Sequence, residues 1–168
     1  MNFVYKNMVA GTGSRSLVKD YTGMAAMVEI LARKIIAEGV DYIISGMAEG
    51  FDEALAKAAI LTKTDWCAAI PNPGYGEYYW GRTSQTGRNR IKEFEELVNQ
   101  STDTQYICDG IYSKGRHSNF IRNEWMMDAA NKVWVFNPAS RGTAHAYKYC
   151  LDNNIPTEII TLESNLTI

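Results

Sequence analysis

Three glycine-bearing loops are the stretches of this chain whose residue types and spacing suit anion binding. They comprise residues 11–15, 45–52 and 137–143, and each follows an apolar run typical of a buried strand. In the third loop, Gly142 and Thr143 open a helix, which directs free backbone N–H groups and the positive end of its dipole towards a ligand. Phosphate binds to such N–H groups and to arginine. An ordinary strand-to-helix turn has the same pattern, so this stretch alone leaves both interpretations open.

The residues that we predict to bind the ligand are cationic, small or aromatic, and they lie in or beside these loops. They are Gly11, Gly13, Ser14, Arg15, Ser45, Gly46, Tyr79, Trp80, Arg122, Asn123, Asn137, Arg141, Gly142 and Thr143. The cations would hold phosphate, and Tyr79 or Trp80 would cover a base. The combination indicates a nucleotide-derived ligand, although aromatic clusters are also typical of packing or dimer interfaces.

Three carboxylates beside the loops are candidate catalytic groups: Glu49, Asp52 and Glu124. A carboxylate at such a site can act as the acid or base in hydrolysis of an N-glycosidic bond. Spacing favours none of the three, and Asp52 is also suited to capping the helix that follows it. No Ser–His–Asp or Cys–His arrangement stands out.

The sequence gives no reason to expect a cofactor or a metal. The first loop has Gly11 and Gly13 but Ser16 where the dinucleotide fingerprint requires its third glycine, and no P-loop lysine is present. The three cysteines and two histidines lack metal-ligand spacing. Cysteines that are odd in number and set in apolar segments are typical of buried, reduced thiols.

The net charge of −2, from 17 basic and 19 acidic residues, gives no overall attraction for nucleic acid, so we do not expect it as a partner. An aromatic and basic segment at residues 78–92 keeps single-stranded nucleic-acid binding open as an alternative. No apolar run reaches the roughly 18 residues of a membrane span, and the first residues lack a signal-peptide pattern. We therefore expect a cytoplasmic protein with no membrane partner.

Strands and helices alternate along the chain, and this order must position the loops. Strands are predicted at residues 8–10, 40–44, 66–70, 104–108, 133–136 and 157–162, with amphipathic helices between them. Apolar strands in this order predict an α/β fold: one Rossmann-like three-layer domain over residues 1–168, with a mostly parallel sheet and helices on both faces. Because every candidate loop follows a strand, all should lie at the carboxyl edge of the sheet, where such folds bind ligands.

Four motifs resemble the SLOG superfamily, which unites the DNA-processing protein A family with the lonely guy phosphoribohydrolases. They are residues 11–15, residues 45–52, Arg122-Asn123 and residues 142–146. The resemblance covers nearly the whole chain in the same order and is greatest for short bacterial and phage members. It implies a Rossmannoid fold, a phosphate-binding loop and a homo-oligomer.

One departure from that resemblance affects the expected activity. In the phosphoribohydrolase branch the loop ends in a catalytic glutamate, whereas Ala146 occupies that position here. The resemblance therefore implies a nucleotide-derived ligand, such as a nucleoside phosphate, ADP-ribose or a signalling nucleotide, bound by a sensor or sequestering protein. A role in phage or bacterial defence would suit such a protein. The alternative is an N-glycosidic hydrolase of nucleoside phosphates in which Glu49, Asp52 or Glu124 replaces the missing acid.

Overall fold

The structure is a computed structural model that describes residues 5–162. Its strands are β1 (Met8–Gly13), β2 (Tyr42–Ser45), β3 (Asp65–Ile70), β4 (Asp103–Tyr106), β5 (Tyr112–Ser113), β6 (Arg116–His117), β7 (Lys132–Phe136) and β8 (Thr157–Ile160). The main sheet has six parallel strands in the order β4-β3-β2-β1-β7-β8, and β5 and β6 form a separate antiparallel hairpin.

Helices cover both faces of this sheet, which confirms the predicted three-layer α/β architecture. They are α1 (Tyr21–Glu38), α2 (Phe51–Leu61), α3 (Ile91–Asn99), α4 (Ser118–Ala129) and α5 (Arg141–Asp152). A short 3-10 helix, Arg15–Lys19, follows β1, and a wide π-type turn, Glu77–Arg82, follows β3. None of the helices in residues 5–162 is long and apolar enough to cross a membrane.

Alternate residues of the central strands supply two separate cores. Val9 and Trp134 pack with α1 and α2 on one face, whereas Ala10, Val133 and Val135 pack with residues of α4 and α5 on the other. All five side chains are fully buried. A strand that is buried on both faces must be apolar throughout, which is why these strands are recognisable as continuous apolar runs.

The first strand is longer than predicted, and this corrects our interpretation of the first glycine loop. Gly11 and Gly13 belong to β1, and Gly13 pairs with Phe136 of β7. A Cβ atom at Gly11 would lie 2.5 Å from Leu55 Cδ2, and one at Gly13 would lie 2.5 Å from the Cβ of Phe51. These glycines therefore allow α2 to pack closely on the strand, and the loop itself begins at Ser14.

Local contacts define the start of α1 and the buried side of α5. The carboxylate of Asp20 caps α1 by accepting a 2.9 Å hydrogen bond from the backbone N–H of Gly23. In α5, Cys150 is buried, whereas Leu151 beside it is 55% exposed. All three cysteines are buried and free, as predicted.

Candidate functional site

The direction in which successive strands are added to the sheet reverses between β1 and β7. From β1 it proceeds to β2, β3 and β4 on one side, and it later returns to β7 and β8 on the other. The segments that follow β1 and β7 therefore diverge, as expected at a topological switch point. A cavity of about 740 Å³ lies there, at the carboxyl edge of the sheet.

Most of the predicted ligand-binding residues lie in the wall of this cavity. Those present are Gly13, Ser14, Arg15, Tyr79, Arg122, Asn123, Arg141, Gly142 and Thr143, together with the candidate catalytic residue Asp52. Loops that are up to 130 residues apart in the sequence are thus brought together at one place. The prediction of their individual roles stays a prediction.

Three of the basic side chains in the wall are exposed and available to a ligand. Arg15, Lys19 and Arg141 form no salt bridge with any residue in the described part of the chain. The Arg15 guanidinium lies 6.0 Å from the centre of the Tyr79 ring, which keeps it beside the cavity. Unpaired cations that converge on one cavity create a local positive potential that the net charge of the chain does not reveal.

The amino end of α5 adds backbone donors to these cations. Ser140 precedes the helix, but its side chain does not cap it, because the hydroxyl donates instead to the backbone oxygen of Asn137 at 3.1 Å. The first N–H groups of a helix have no partner within the helix. Thr143 in this first turn is 3% exposed, and its hydroxyl forms no hydrogen bond with a residue in the range 5–162.

Arg122 is the most deeply buried cation of the wall, at 5% exposure. Its Nη1 donates to the backbone oxygens of Gly46 and, at 3.3 Å, Ala69, and its Nε donates to Asn123 Oδ1 at 2.9 Å. The guanidinium also lies 5.6 Å from the centre of the Tyr75 ring. Arg122 thus ties α4 to the ends of β2 and β3 as well as lining the cavity.

Asp52 places a carboxylate next to this arginine. A Cβ atom at Gly46 would lie 3.0 Å from both Arg122 Nη1 and Asp52 Oδ2, so a larger residue at this position would crowd both groups. Oδ2 accepts a 3.3 Å hydrogen bond from the backbone N–H of Ala48, whereas Oδ1 is buried with no partner among residues 5–162. Burial raises the pKa of Asp52 to about 6, although Arg122 and the Ala48 N–H act in the opposite direction.

Aromatic side chains form the wall on the side of the β3–α3 segment. Tyr75 and Tyr79 have ring centres 4.7 Å apart, and Phe120 of α4 completes this side. Asn119 Nδ2 donates to the Tyr79 hydroxyl at 3.1 Å, while Asn119 Oδ1 is buried without a partner in the described residues. Burial raises the pKa of Tyr75 to about 12, which keeps its hydroxyl protonated at neutral pH.

Two residues predicted for the site are occupied by structural contacts instead. Trp80 is fully buried, and its Nε1 donates to the Met47 backbone oxygen at 2.7 Å, so it cannot cover a base in this conformation. Glu49 is also buried and accepts hydrogen bonds from Arg90 at 2.8 Å, Ser84 at 2.7 Å and the Gln85 backbone at 2.8 Å. Neither residue lies in the cavity wall.

The other predicted residues that lie outside the wall have simpler explanations. Glu124 forms an ion pair with Arg116. Gly11 is covered by α2, and the Ser45 hydroxyl donates to the Asp52 backbone oxygen at 2.9 Å. Gly46 makes room for the Arg122–Asp52 approach, and Asn137 adopts a positive φ of 57° in the turn before α5.

Several wall residues are not among those predicted individually, namely Thr12, Ser16, Lys19, Ala48, Tyr75, Gln85, His117, Asn119, Phe120 and Ser140; of these, Thr12, Ala48 and Ser140 belong to the predicted loops. Asn119 lies three residues before Arg122, which is the spacing of one helix face, and Lys19 lies in the segment after β1. Asn119 and Lys19 could therefore have been predicted from the sequence. The position of Gln85 depends on the buried contacts of Glu49, for which the sequence has no recognisable pattern.

The basic segment at residues 78–92 is less continuous than its sequence suggests. Arg90 is buried between Glu49 and Glu53, and Arg88 pairs with Glu93 at 2.8 Å. The Trp80 ring lies under Arg90, with its centre 4.7 Å from the guanidinium carbon. Trp80 and Arg90 are therefore unavailable to a nucleic acid, whereas Tyr78, Arg82, Arg88 and Lys92 are exposed, so single-strand binding through this segment stays a prediction.

Comparison with solved structures identifies similar folds at low sequence identity. No family model matches the sequence, and neither does any curated protein. The DNA processing protein A of Helicobacter pylori, whose structure was determined for its single-stranded DNA binding mode, has a TM-score of 0.63 and 18% identity over 96% of this chain and 68% of its own. The Streptococcus pneumoniae protein has a TM-score of 0.59 and 17% identity, and this chain spans 52% of its length.

A third neighbour is the molybdenum cofactor carrier protein of Chlamydomonas reinhardtii, with a TM-score of 0.57 and 13% identity over 92% of this chain and 75% of its own. This chain shares the Rossmann-like fold of these neighbours. The expectation that nucleic acid is not a partner receives no support, because one neighbour binds single-stranded DNA.

Proposed function

We propose that this protein binds a nucleotide-derived ligand in the switch-point cavity and acts as a sensor or sequestering protein. The ligand class comprises nucleoside phosphates, ADP-ribose and related signalling nucleotides. One observation carries this proposal: Arg15, Lys19, Arg122 and Arg141 converge on a single cavity without a salt bridge to any residue in the described range. The uncapped amino end of α5 opens on the same space.

The dimensions and lining of the cavity agree with such a ligand. Its volume of about 740 Å³ lies within the range of roughly 300–1,000 Å³ that is typical of small-molecule sites. Its wall combines cations and N–H groups with the rings of Tyr75, Tyr79 and Phe120. The Arg15 and Arg122 guanidinium carbons lie 6.0 Å and 5.6 Å from the ring centres of Tyr79 and Tyr75, so a phosphate held by these cations would leave its base within reach of an aromatic ring.

The test is a calorimetric titration with ribonucleoside 5′-monophosphates, ADP-ribose and the matching nucleosides. We expect the phosphate-bearing compounds to bind at least tenfold more tightly than the nucleosides. Arg141→Ala should weaken phosphate binding because it removes an exposed cation of the wall, whereas Arg82→Ala removes an exposed cation outside the wall that pairs with no residue between 5 and 162, and it should have no effect. Arg141 is preferable to Arg122 here, because Arg122 also holds backbone oxygens of the core.

Equal affinity for nucleotides and nucleosides would contradict the phosphate site, and failure of every nucleotide to bind would contradict the proposal. Single-stranded DNA is titrated in parallel at several salt concentrations. Tight DNA binding that weakens steeply with added salt, without competition from mononucleotides, would instead assign the cations of the cavity wall to nucleic-acid binding.

Asp52 supports a second candidate function, N-glycosidic hydrolysis of a nucleoside phosphate. It is the only one of the three candidate catalytic carboxylates in the cavity wall, and its raised pKa of about 6 suits acid or base catalysis near neutral pH. Release of free base, measured by chromatography, would establish this activity. Asp52→Asn should abolish it and Glu124→Gln should not; intact recovery of every bound nucleotide would exclude it.

A further inference from the structure

The unpartnered oxygen of Asp52 limits what the cavity can bind. Its Oδ1 is buried without a hydrogen-bond partner in residues 5–162, and the residue is 6% exposed in the cavity wall. A buried carboxylate oxygen without a partner is costly, so the group that fills this part of the cavity should donate a hydrogen bond. Phosphate oxygens accept hydrogen bonds and carry the same charge sign as the carboxylate, so they are disfavoured at this position.

The position of Asp52 determines which part of a nucleotide it would meet. The amino end of α2 packs directly on the segment after β1: Phe51 N donates to the Ser14 backbone oxygen at 3.2 Å. A Cβ atom at Gly50 would lie 2.7 Å from the Cα of Arg15. Asp52 is therefore close to Arg15 and Arg122, the cations proposed to hold the phosphate. In a nucleoside 5′-phosphate, the group next to the phosphate is the sugar.

We propose that the cavity recognises a ribose, and that the Asp52 carboxylate accepts hydrogen bonds from its 2′ and 3′ hydroxyl groups. Ribonucleotides are then selected over nucleotides that lack these hydroxyls. This inference rests on the proposed nucleotide-binding function and deepens it. The chemistry is that of a carboxylate with a vicinal diol, which many dinucleotide-binding proteins use to recognise ribose. Ribose supplies donors where Asp52 lacks them, and its carbon skeleton leaves the phosphate free for the cations.

The experiment compares each ribonucleoside 5′-monophosphate with its 2′,3′-dideoxy counterpart. For the wild-type protein we expect the dideoxy compound to bind at least tenfold more weakly, because hydrogen bonds to a buried charged group are strong. In Asp52→Asn this ratio should fall towards one. Lys19→Ala is the matched control. It removes a cation of the same wall, so it should lower the affinity for both compounds equally and leave the ratio of the two affinities unchanged.

The outcomes separate the two levels of inference. Equal affinity of the wild-type protein for both compounds would overturn ribose recognition, while phosphate-dependent binding of both would leave the proposed function standing. A ratio that Asp52→Asn does not reduce would overturn the role of Asp52. Failure of all nucleotides to bind would overturn both inferences. Thermal denaturation of each variant establishes that it is folded.

Discussion

Glu49 and Arg90 form an ion pair in which both side chains are buried. Arg90 Nη1 donates to Glu49 Oε2 at 2.8 Å, and the two side chains are 0% and 5% exposed. Arg90 also donates to Glu53 at 2.6 Å and to Glu93 at 2.7 Å. This network joins the amino end of α2 to the segment between β3 and α3, and that segment carries Tyr79 and Gln85 into the cavity wall.

We predict that Glu49→Ala lowers the free energy of unfolding by about 3 kcal/mol, because removing one partner leaves a buried charge without full compensation. Urea denaturation measures this change. Glu95→Ala is the control, since Glu95 is exposed on the same α3 that follows the network and forms no ion pair with a described residue. Equal stability of the wild type and Glu49→Ala would contradict the structural role and return Glu49 to the candidates for chemistry.

Alanine substitutions at Gly13 and Gly142 form a matched test of close packing. Gly13→Ala places a methyl group 2.5 Å from the Cβ and Cγ of Phe51, which are fixed near the backbone of α2. We expect a loss of about 1–3 kcal/mol in the free energy of unfolding from this overpacking. Gly142→Ala meets no atom within 4 Å and should not destabilise the protein. Chemical denaturation of both variants tests the close approach of α2 to β1, and equal effects would contradict it.

The sequence predicted the fold well because the determining contacts leave periodic patterns. Val9 and Ala10 face opposite cores, and the whole strand is consequently apolar. The location of the site was also predictable from the sequence, because the segments that follow parallel strands all lie at the same edge of the sheet. Burial of Trp80 and Glu49 was not predictable in this way. Their partners, Met47 and Arg90, are 33 and 41 residues away, and polar pairing over such distances has no periodicity.

The glycines show a related limit. The sequence predicts Gly11, Gly13 and Gly46 as ligand contacts, because glycine allows the backbone to approach a ligand. In the structure, Gly11 and Gly13 make room for α2, with Gly13 also in the cavity wall, and Gly46 makes room for the Arg122 and Asp52 side chains. A glycine in a sequence indicates a close approach but does not identify the approaching group. Only the packing of α2 on β1 distinguishes these cases.

Asp52 leads to a prediction about pH. Burial raises its pKa from the ordinary 3.8 to about 6. Between these values the native protein retains a proton that the unfolded chain has lost, so the free energy of unfolding falls as the pH rises from about 4 to 6. The pKa difference corresponds to about 3 kcal/mol at most. Asp52→Asn removes this dependence and should be more stable than the wild type above pH 6.

Urea denaturation of the two proteins at several pH values checks this expectation. The stability difference should be small at pH 4, should grow in favour of Asp52→Asn up to about pH 6, and should then remain constant. A difference that is independent of pH would show that the native pKa of Asp52 is close to 3.8. Glu95→Gln serves as the control, because it makes the same change of a carboxylate to an amide at an exposed position of α3.

Thr143 allows phosphate binding to be tested without disturbing the core. It is 3% exposed in the first turn of α5, and valine reproduces its shape while removing a hydroxyl that bonds to no residue in the described range. We predict that Thr143→Val has an unchanged melting temperature but binds the tightest ribonucleoside 5′-monophosphate about tenfold or more weakly, since a hydrogen bond to a charged group is lost. Thr22→Val, an exposed substitution in the first turn of α1, should alter neither property. A lower melting temperature of Thr143→Val with unchanged affinity would make the hydroxyl structural and would remove it from the phosphate site.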